Sequence, residues 1–258
     1  MASFLDKTFS LQGKTAVVTG AARGIGCGIT EALLRAHATV IMVGSRPQPL
    51  REAAEKYRDD GLNAIDVSCD LSQRGQIDQL VHRVSEEFQQ LDVLVNNAGI
   101  SLPQNSPKYP ISDWEKTLRI NLEAPFLLVQ GLTPLLTKPG ASVINITSVN
   151  AELGFPNNPS YQAAKGGLRQ LSKSQAMDLG QVGIRVNSIG PGYFVSDMTQ
   201  GSWDDPQRRS ERSEHTILGR WGQPKDLMGL IILLASDASS YITGQDIYID
   251  GGWLAKGL

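Results

Sequence analysis

Three side chains with acid–base chemistry lie close together in the middle of the chain. Ser148 follows an apolar, β-branched run. Thirteen residues later comes Tyr161-Gln162-Ala163-Ala164-Lys165, on a segment of helical character. A spacing of four puts the phenol and the ammonium on one helix face. A free phenol, with a pKa near ~10, is a poor acid–base catalyst at neutral pH. A neighbouring ammonium favours the phenolate and is expected to lower that pKa, so the pair reads as a proton donor and acceptor. Ser148 would then hydrogen-bond a substrate oxygen as charge develops on it. Tyr–Lys pairs on helices are common, and each residue alone has a structural explanation. It is their joint placement behind the glycine loop described next that points to a reaction.

That loop is Thr19-Gly20-Ala21-Ala22-Arg23-Gly24-Ile25-Gly26, between an apolar strand and a helical segment. Gly20 permits the sharp turn, Gly24 lets backbone approach a pyrophosphate at the helix N-terminus, and Gly26 allows close packing of helix on sheet. After the second strand, where an NAD-specific fold places a carboxylate for the ribose hydroxyls, the chain reads Gly44-Ser45-Arg46. Ser45 and Arg46, with Arg23 in reach of the same group, suit a 2′-phosphate. NADP(H) is the preferred cofactor and NAD(H) the possible one; the competing reading makes Arg46 a solvated loop residue. Cys69-Asp70-Leu71 follows the third strand, and Asp70 there suits the adenine amino group, an N-cap of the next helix, or both. Asn96-Asn97-Ala98-Gly99 follows the fourth, where two amides and a glycine suit a ribose or the bracing of the central sheet.

The elements that must position these groups alternate along the chain. β-branched apolar runs fall at 15–19, 39–43, 63–67, 93–96, 142–147, 185–189 and 245–249. Helix-like stretches lie around 24–37, 48–60, 73–90, 112–137, 160–180 and 224–236. Most runs are apolar on both faces, as strands covered on two sides must be. The expected fold is α/β: one Rossmann domain spanning 1–258, with a doubly wound, seven-stranded parallel sheet and helices on both faces. Ligands of such a sheet bind beyond the carboxyl ends of its strands.

Composition narrows the function classes. The 258 residues carry 24 basic and 26 acidic side chains, a formal charge of −2, which argues against nucleic-acid binding through a basic field. Cys27 and Cys69 make neither a disulfide framework nor a zinc-ligand pattern, so no metal site is expected. No apolar run has the ~18 residues of a membrane span, and residues 1–10 read as a short arm rather than a leader. A cytoplasmic protein with no membrane partner is expected.

Taken together, Thr19–Gly26, Asn96–Gly99, Asn121, Ser148, Tyr161/Lys165 and Pro191-Gly192 resemble the short-chain dehydrogenase/reductase family in its single-domain form, over about residues 11–253. The resemblance implies a catalytic tetrad of Asn121, Ser148, Tyr161 and Lys165, with Asn121 holding a water near Lys165 in a proton relay. It also implies cofactor contacts from Gly20, Arg23, Gly24, Ile25, Gly26, Ser45, Arg46, Asp70, Leu71, Asn97, Ala98 and Gly99. Asn96 would lie in the adenosine ribose region, and Tyr161 and Lys165 at the nicotinamide ribose. Pro191, Gly192, Phe194 and Ser196 would lie by the nicotinamide. Phe194 stands where a small aliphatic residue is usual, and Ser196 where threonine is usual.

Residues 193–220 would form a lid over the substrate. Its Arg208, Arg209 and Arg212 suit capture of a carboxylate or phosphate, or else belong to a solvated helix paired with Glu211 and Glu214. His215 reads as lid packing. Asn150, Glu152, Asn157 and Asn158 make a polar rim, and the substrate contacts expected are Ser148, Asn150, Asn158, Tyr161, Tyr193 and Trp203. The C-terminal run resembles the sugar-acid branch of the family. The implied reaction is hydride transfer between a nicotinamide cofactor and a secondary alcohol or ketone of a polyol, sugar or sugar acid. The alternatives are a reductase of other ketones, such as secondary-metabolite or 3-oxoacyl carbonyls, and a catalytically silent dinucleotide-sensing regulator. The family habit implies a homotetramer, or a homodimer, through the surfaces at 125–136 and 242–254.

Overall fold

The computed structural model describes residues 4–136 and 140–256. The expectations for residues 1–3 of the arm, residue 137 of the fourth helical stretch and the last two residues lie outside the described residues. Seven strands form one sheet: β1 (Thr15–Thr19), β2 (Thr39–Gly44), β3 (Ala64–Ser68), β4 (Val93–Asn96), β5 (Ser142–Ile146), β6 (Arg185–Pro191) and β7 (Asp246–Ile249). Every pairing is parallel, in the order β3-β2-β1-β4-β5-β6-β7. The chain starts at the centre, winds outward through β2 and β3, and returns to build the other half from β4. The two halves therefore diverge between β1 and β4, which opens a crevice at their carboxyl ends.

The helices are α1 (Phe4–Phe9), α2 (Gly24–Arg35), α3 (Pro47–Asp59), α4 (Arg74–Glu87), α5 (Ile111–Leu118), α6 (Ala124–Leu132), α7 (Pro159–Gly180), α8 (Gln200–Trp203), α9 (Pro206–Glu214), α10 (Met228–Ala235) and α11 (Trp253–Lys256). Side chains alternate across each strand, and the two faces feed two apolar cores. Ala16, Val18, Val40 and Met42 pack with Ile29, Leu33, Leu50 and Ile231 from α2, α3 and α10. Val17, Ile41, Val43 and Leu94 pack with Ile77, Leu80, Leu128 and Leu132 from α4 and α6. Burying each Val, Leu, Ile or Met here contributes about 1.5–3 kcal/mol, so both faces of the sheet are held by apolar packing.

Four details differ from the sequence reading. The helical stretch at 112–137 is interrupted by a π turn at Arg119–Glu123, which widens the helix where Asn121 sits. β6 continues beyond residue 189, because Gly190 and Pro191 still pair with Tyr248 and Ile249 of β7. The arm contains the short helix α1. Between 193 and 220, α8 and α9 are regular; α9 is polar all round (PQRRSERSE), so it has no apolar period to detect. Asp205 caps α9, its carboxylate accepting from the Gln207 and Arg208 amides at 3.0 and 3.2 Å.

Candidate active site

The ends of β5 and α7 bring the central trio together. Ser148 is extended just past β5 and starts a tight turn at Val149–Ala151, its hydroxyl accepting from the Asn150 amide at 3.1 Å and the Asn150 side chain at 3.3 Å. Tyr161 and Lys165 stand one turn apart near the start of α7, with the Lys165 nitrogen 5.6 Å from the Tyr161 ring centroid. Lys165 Nζ donates to the Ile146 carbonyl at 2.6 Å, which ties the helix to the last residue of β5. Ser148 and Lys165 are both buried.

Burial dominates the protonation of both α7 groups. It pushes the Tyr161 phenol up to about 12, against the nearby Ser148 hydroxyl, which pulls it down; a nearby Tyr193 adds a smaller upward push. Burial likewise pushes the Lys165 ammonium down to about 8. The expected lowering of the Tyr161 pKa by Lys165 is thus outweighed by burial. The ammonium is turned to the Ile146 carbonyl, and Ser148 is the group that favours the phenolate.

Asn121 lies fully buried at the π turn. Its carbonyl accepts from the Ile100 amide at 2.9 Å and its NH2 donates to the Ile100 carbonyl at 2.8 Å. Each of its side-chain polar atoms makes one bond to Ile100, which leaves a second N–H and a second lone pair on the amide. The side chain thus fixes the Gly99–Ile100 backbone beside Lys165. A Cβ on Gly99 would lie 3.4 Å from Asn121 Oδ1 and 3.7 Å from Lys165 Nζ.

The glycine loop is fixed by the neighbouring strand end. Asn97 donates to the Thr19 and Gly20 carbonyls at 2.9 and 3.2 Å, and Thr19 Oγ1 accepts from the Asn97 and Ala98 amides at 3.0 Å each. Gly20 and Gly24 have φ of +65° and +53°, where side chains are strained. A Cβ on Gly26 would lie 1.9 Å from the Gly20 carbonyl oxygen, and one on Gly24 would lie 3.1 Å from Ser196 Cβ. The start of α2 has no side-chain cap and no acidic residue in its first turn. A helix N-terminus with uncapped amides behind such a loop fits a pyrophosphate. Ser45 and Arg46 are exposed just past β2, and Arg46 is in none of the ion pairs among the described residues.

Since a Cβ at residue 26 has no room, Gly26→Ala should cost about 2–3 kcal/mol by overpacking, lowering Tm by roughly 5–10 °C. Thermal melts of the two proteins check this, and an unchanged Tm would show that the loop can yield.

Several of the predicted contact residues also have partners within the chain. Asn96 is buried and donates to Asn145 at 2.8 Å; Asn145 continues to Ser172 at 2.8 Å. It braces β4, β5 and α7, the second of the two roles its sequence suits. Asp70 is not the N-cap of α4, which is Gln73; its carboxylate accepts from the Ser72 amide at 2.9 Å. Leu71 is buried in the second core. Arg23 is exposed and ion-paired with Asp197 at 2.6 Å, a partner invisible at a separation of 174 residues. Phe194 is buried in the first core, and its carbonyl accepts from Thr199 at 2.5 Å. Gly192 lies so close to β7 that a Cβ would stand 2.8 Å from Asp250 Cα, while Pro191 is the buried last residue of β6. Asn158 donates to Ser101 at 2.8 Å, leaving its buried carbonyl oxygen without a partner.

The wall beside Tyr161 is aromatic. Tyr193 meets Trp253, Trp221 and Phe155 with centroids 5.0, 5.3 and 6.5 Å apart; Trp203 meets Trp221 at 5.3 Å, and His215 stacks on Trp253 at 4.9 Å. Of these, Phe155, Trp221 and Trp253 escaped the sequence reading, as did Gln162, which holds the Phe155 backbone at both N–H (2.9 Å) and C=O (2.6 Å). Apolar and amide residues scattered along a chain offer no period that would reveal such a cluster. Among the described residues no group of three or more His, Cys, Asp or Glu could hold a metal ion, and no helix is long and apolar enough to cross a membrane.

A parallel doubly wound sheet with a glycine loop at its switch point and a Ser–Tyr–Lys cluster across the crevice defines the class of dinucleotide-dependent oxidoreductases. Comparison with known proteins agrees: residues 20–254 match the family described as Enoyl-(Acyl carrier protein) reductase. The chain belongs to the short-chain dehydrogenase/reductase family. It is 36% identical over 250 residues to the 2-dehydro-3-deoxy-D-gluconate 5-dehydrogenase of Escherichia coli K12, covering 96% of this chain and 98% of that protein. It is 32% identical over 251 residues to the 5-keto-D-gluconate 5-reductase of the same strain, covering 97% and 99%. The solved gluconate 5-dehydrogenase of Burkholderia cenocepacia J2315, in complex with NADP and tartrate, superposes with a TM-score of 0.92 at 32% identity, over 97% of this chain and 98% of that one.

Proposed function

We propose that the protein is an NADP(H)-preferring oxidoreductase that interconverts a secondary alcohol and a ketone on a sugar acid. The observation that carries the reading is the Ser148–Tyr161–Lys165 cluster facing the glycine-loop crevice. Relatives named for gluconate and deoxygluconate chemistry, one of them solved with NADP, support the substrate class and the cofactor. The uncapped α2 N-terminus would receive the pyrophosphate, Ser45 and Arg46 the 2′-phosphate, and Asp70 the adenine. The backbone around Pro191–Ser196 would receive the nicotinamide, whose C4 supplies or accepts the hydride.

In the reducing direction Tyr161 gives its proton to the carbonyl oxygen, which Ser148 steadies by a hydrogen bond as negative charge grows there. In the oxidising direction the Tyr161 oxygen takes the alcohol proton. Lys165 would hydrogen-bond the nicotinamide ribose and pass protons between Tyr161 and solvent. Asn121 positions the Gly99–Ile100 backbone against Lys165. Asn150 and Asn158 line the polar rim for substrate hydroxyls, and residues 193–220 act as the lid that excludes water. Trp114, Leu118, Leu122, Phe126 and Leu171, edged by Glu115, Arg119 and Glu123, line an open groove across α5, the π turn, α6 and α7. That groove, with the 242–254 segment, suits assembly into a homotetramer in the cytoplasm.

The test is a substrate screen, with each cofactor, over hexonates, keto-hexonates, polyols and acyl ketones, following nicotinamide absorbance. Turnover of a sugar acid with NADP(H) supports the reading. Cofactor binding without turnover on any of them would point to the sensing regulator instead. Arg46→Ala should weaken NADPH about 10- to 100-fold while leaving NADH nearly unchanged, since only the former has a 2′-phosphate for a charge-assisted bond. Equal losses for the two in a binding titration would reject that contact.

A further inference from the structure

Arg212, on the inner face of α9, has a surplus of hydrogen-bonding capacity. Its guanidinium carbon lies 4.7 Å from the Tyr193 ring centroid, and its Nε is buried without a hydrogen-bond partner. No ion pair among the described residues includes it. The carboxylates beside it in sequence are engaged elsewhere, Glu211 by Gln207 at 3.0 Å and Glu214 by Ser210 at 2.9 Å. The expected Glu211 and Glu214 partners of the lid arginines are therefore absent for Arg212. A half-buried guanidinium with an orphaned N–H is costly. Stacking on Tyr193 holds the plane by cation–π attraction but satisfies none of its five donors.

Tyr193 links this cation to the reacting groups. It lies within electrostatic reach of the Tyr161 phenol and also feels the Arg212 charge. Around Tyr193 the wall is Trp253, Phe155 and Trp221. Tyr193 thus has the Arg212 cation against its ring and the Tyr161 hydroxyl nearby; Tyr193 and Phe155 are half-buried, and Trp221 and Trp253 are buried behind them. Aromatic faces suit the C–H edges of a sugar chain, and a guanidinium fork matches a carboxylate in two parallel hydrogen bonds.

We infer that Arg212 receives the substrate carboxylate and so selects sugar acids over neutral polyols of the same hydroxyl pattern. This rests on the sugar-acid reading above. Arg212 is a specificity residue distant from the reacting carbon, and its contribution should fall mainly on KM.

The experiment measures kcat/KM for the best sugar acid of the screen and for the corresponding hexitol (for D-gluconate, D-glucitol) in wild type, Arg212→Gln and Arg212→Lys. In Arg212→Gln the acid-to-hexitol ratio should fall about 10- to 100-fold, the range of one hydrogen-bonded charge pair, through a raised KM for the acid. Arg212→Lys, which keeps the charge but loses the fork, should recover part of the ratio. An unchanged ratio, whether both substrates fall together or neither does, overturns the inference and leaves the sugar-acid reading standing. A wild-type protein that turns over neutral ketones and no sugar acid overturns both.

Discussion

Tyr161→Phe should lower turnover by about 10²- to 10⁴-fold while leaving NADPH affinity and Tm close to wild type. The substitution removes one oxygen and keeps the ring, so packing against Tyr193 and Lys165 is preserved. The partner left behind is not orphaned, because the Ser148 hydroxyl still accepts from Asn150 at 3.1 and 3.3 Å. The loss belongs in kcat, since the proton moves only as the reaction proceeds. Direction and pH separate the two half-reactions. Burial holds the phenol up at about 12, so Tyr161 is protonated through the neutral range and ready to donate in reduction. Oxidation needs the phenolate, so oxidative turnover should climb with pH over the range in which reduction is still flat. Steady-state rates in both directions and a fluorescence titration with NADPH decide the matter. Wild-type rates in the variant would remove Tyr161 from the reaction and with it the proposed chemistry.

The parts of this site that are legible along the chain are those whose partners are local. Gly20, Gly24 and Gly26 follow one strand and open one helix, so their spacing alone implies a tight turn and a close approach. Tyr161 and Lys165 share a helix face by counting. The parallel direction of the strands follows from alternating elements, since a crossover returns each strand parallel to its predecessor, but the reversal of winding after β3 does not. Partners set by register across the sheet are another matter. Whether Asn96 faces a ribose or Asn145 depends on how β4 lies against β5, and no spacing within either strand reports it. Asn121 reads as an odd amide in an apolar segment, but its bond to Ile100 depends on the π turn, which is invisible until the helix is built. The protonation of Tyr161 shows the same divide. A Lys four residues away suggests a lowered phenol, whereas burial, which exists only in the folded chain, raises it, and the Lys165 ammonium is taken by a strand carbonyl. The 193–220 segment is legible as a lid, but its anchors are not: α9 has no apolar stripe, and what holds it down is Asp205 at its N-cap, the Trp221 indole donating to the Arg209 carbonyl at 3.0 Å, and Arg212 stacked on Tyr193.

Lys165→Met is expected to lower kcat by about 10²-fold or more and to abolish a pH limb that Tyr161→Phe cannot be used to see. The ammonium, brought down to about 8 by burial, changes charge within the working range of the enzyme. Below that value it is protonated, donates to Ile146 at 2.6 Å and can refill Tyr161 after each reduction. As pH rises through about 8 the proton is lost, and reductive kcat should fall although Tyr161 itself remains protonated. Methionine fills nearly the same volume without a charge. It leaves the Ile146 carbonyl unpaired, at a cost of about 1–3 kcal/mol, but also removes a buried ammonium whose desolvation opposed folding. The two effects have opposite signs, so the variant should stay folded, and a melt establishes that before rates are compared. Its reductive kcat, low throughout, should then be level across pH 8. A variant that keeps the wild-type limb would assign that ionisation to another group, and Lys165 would be left with cofactor binding alone, visible as a raised NADPH Kd without a change in the shape of the profile.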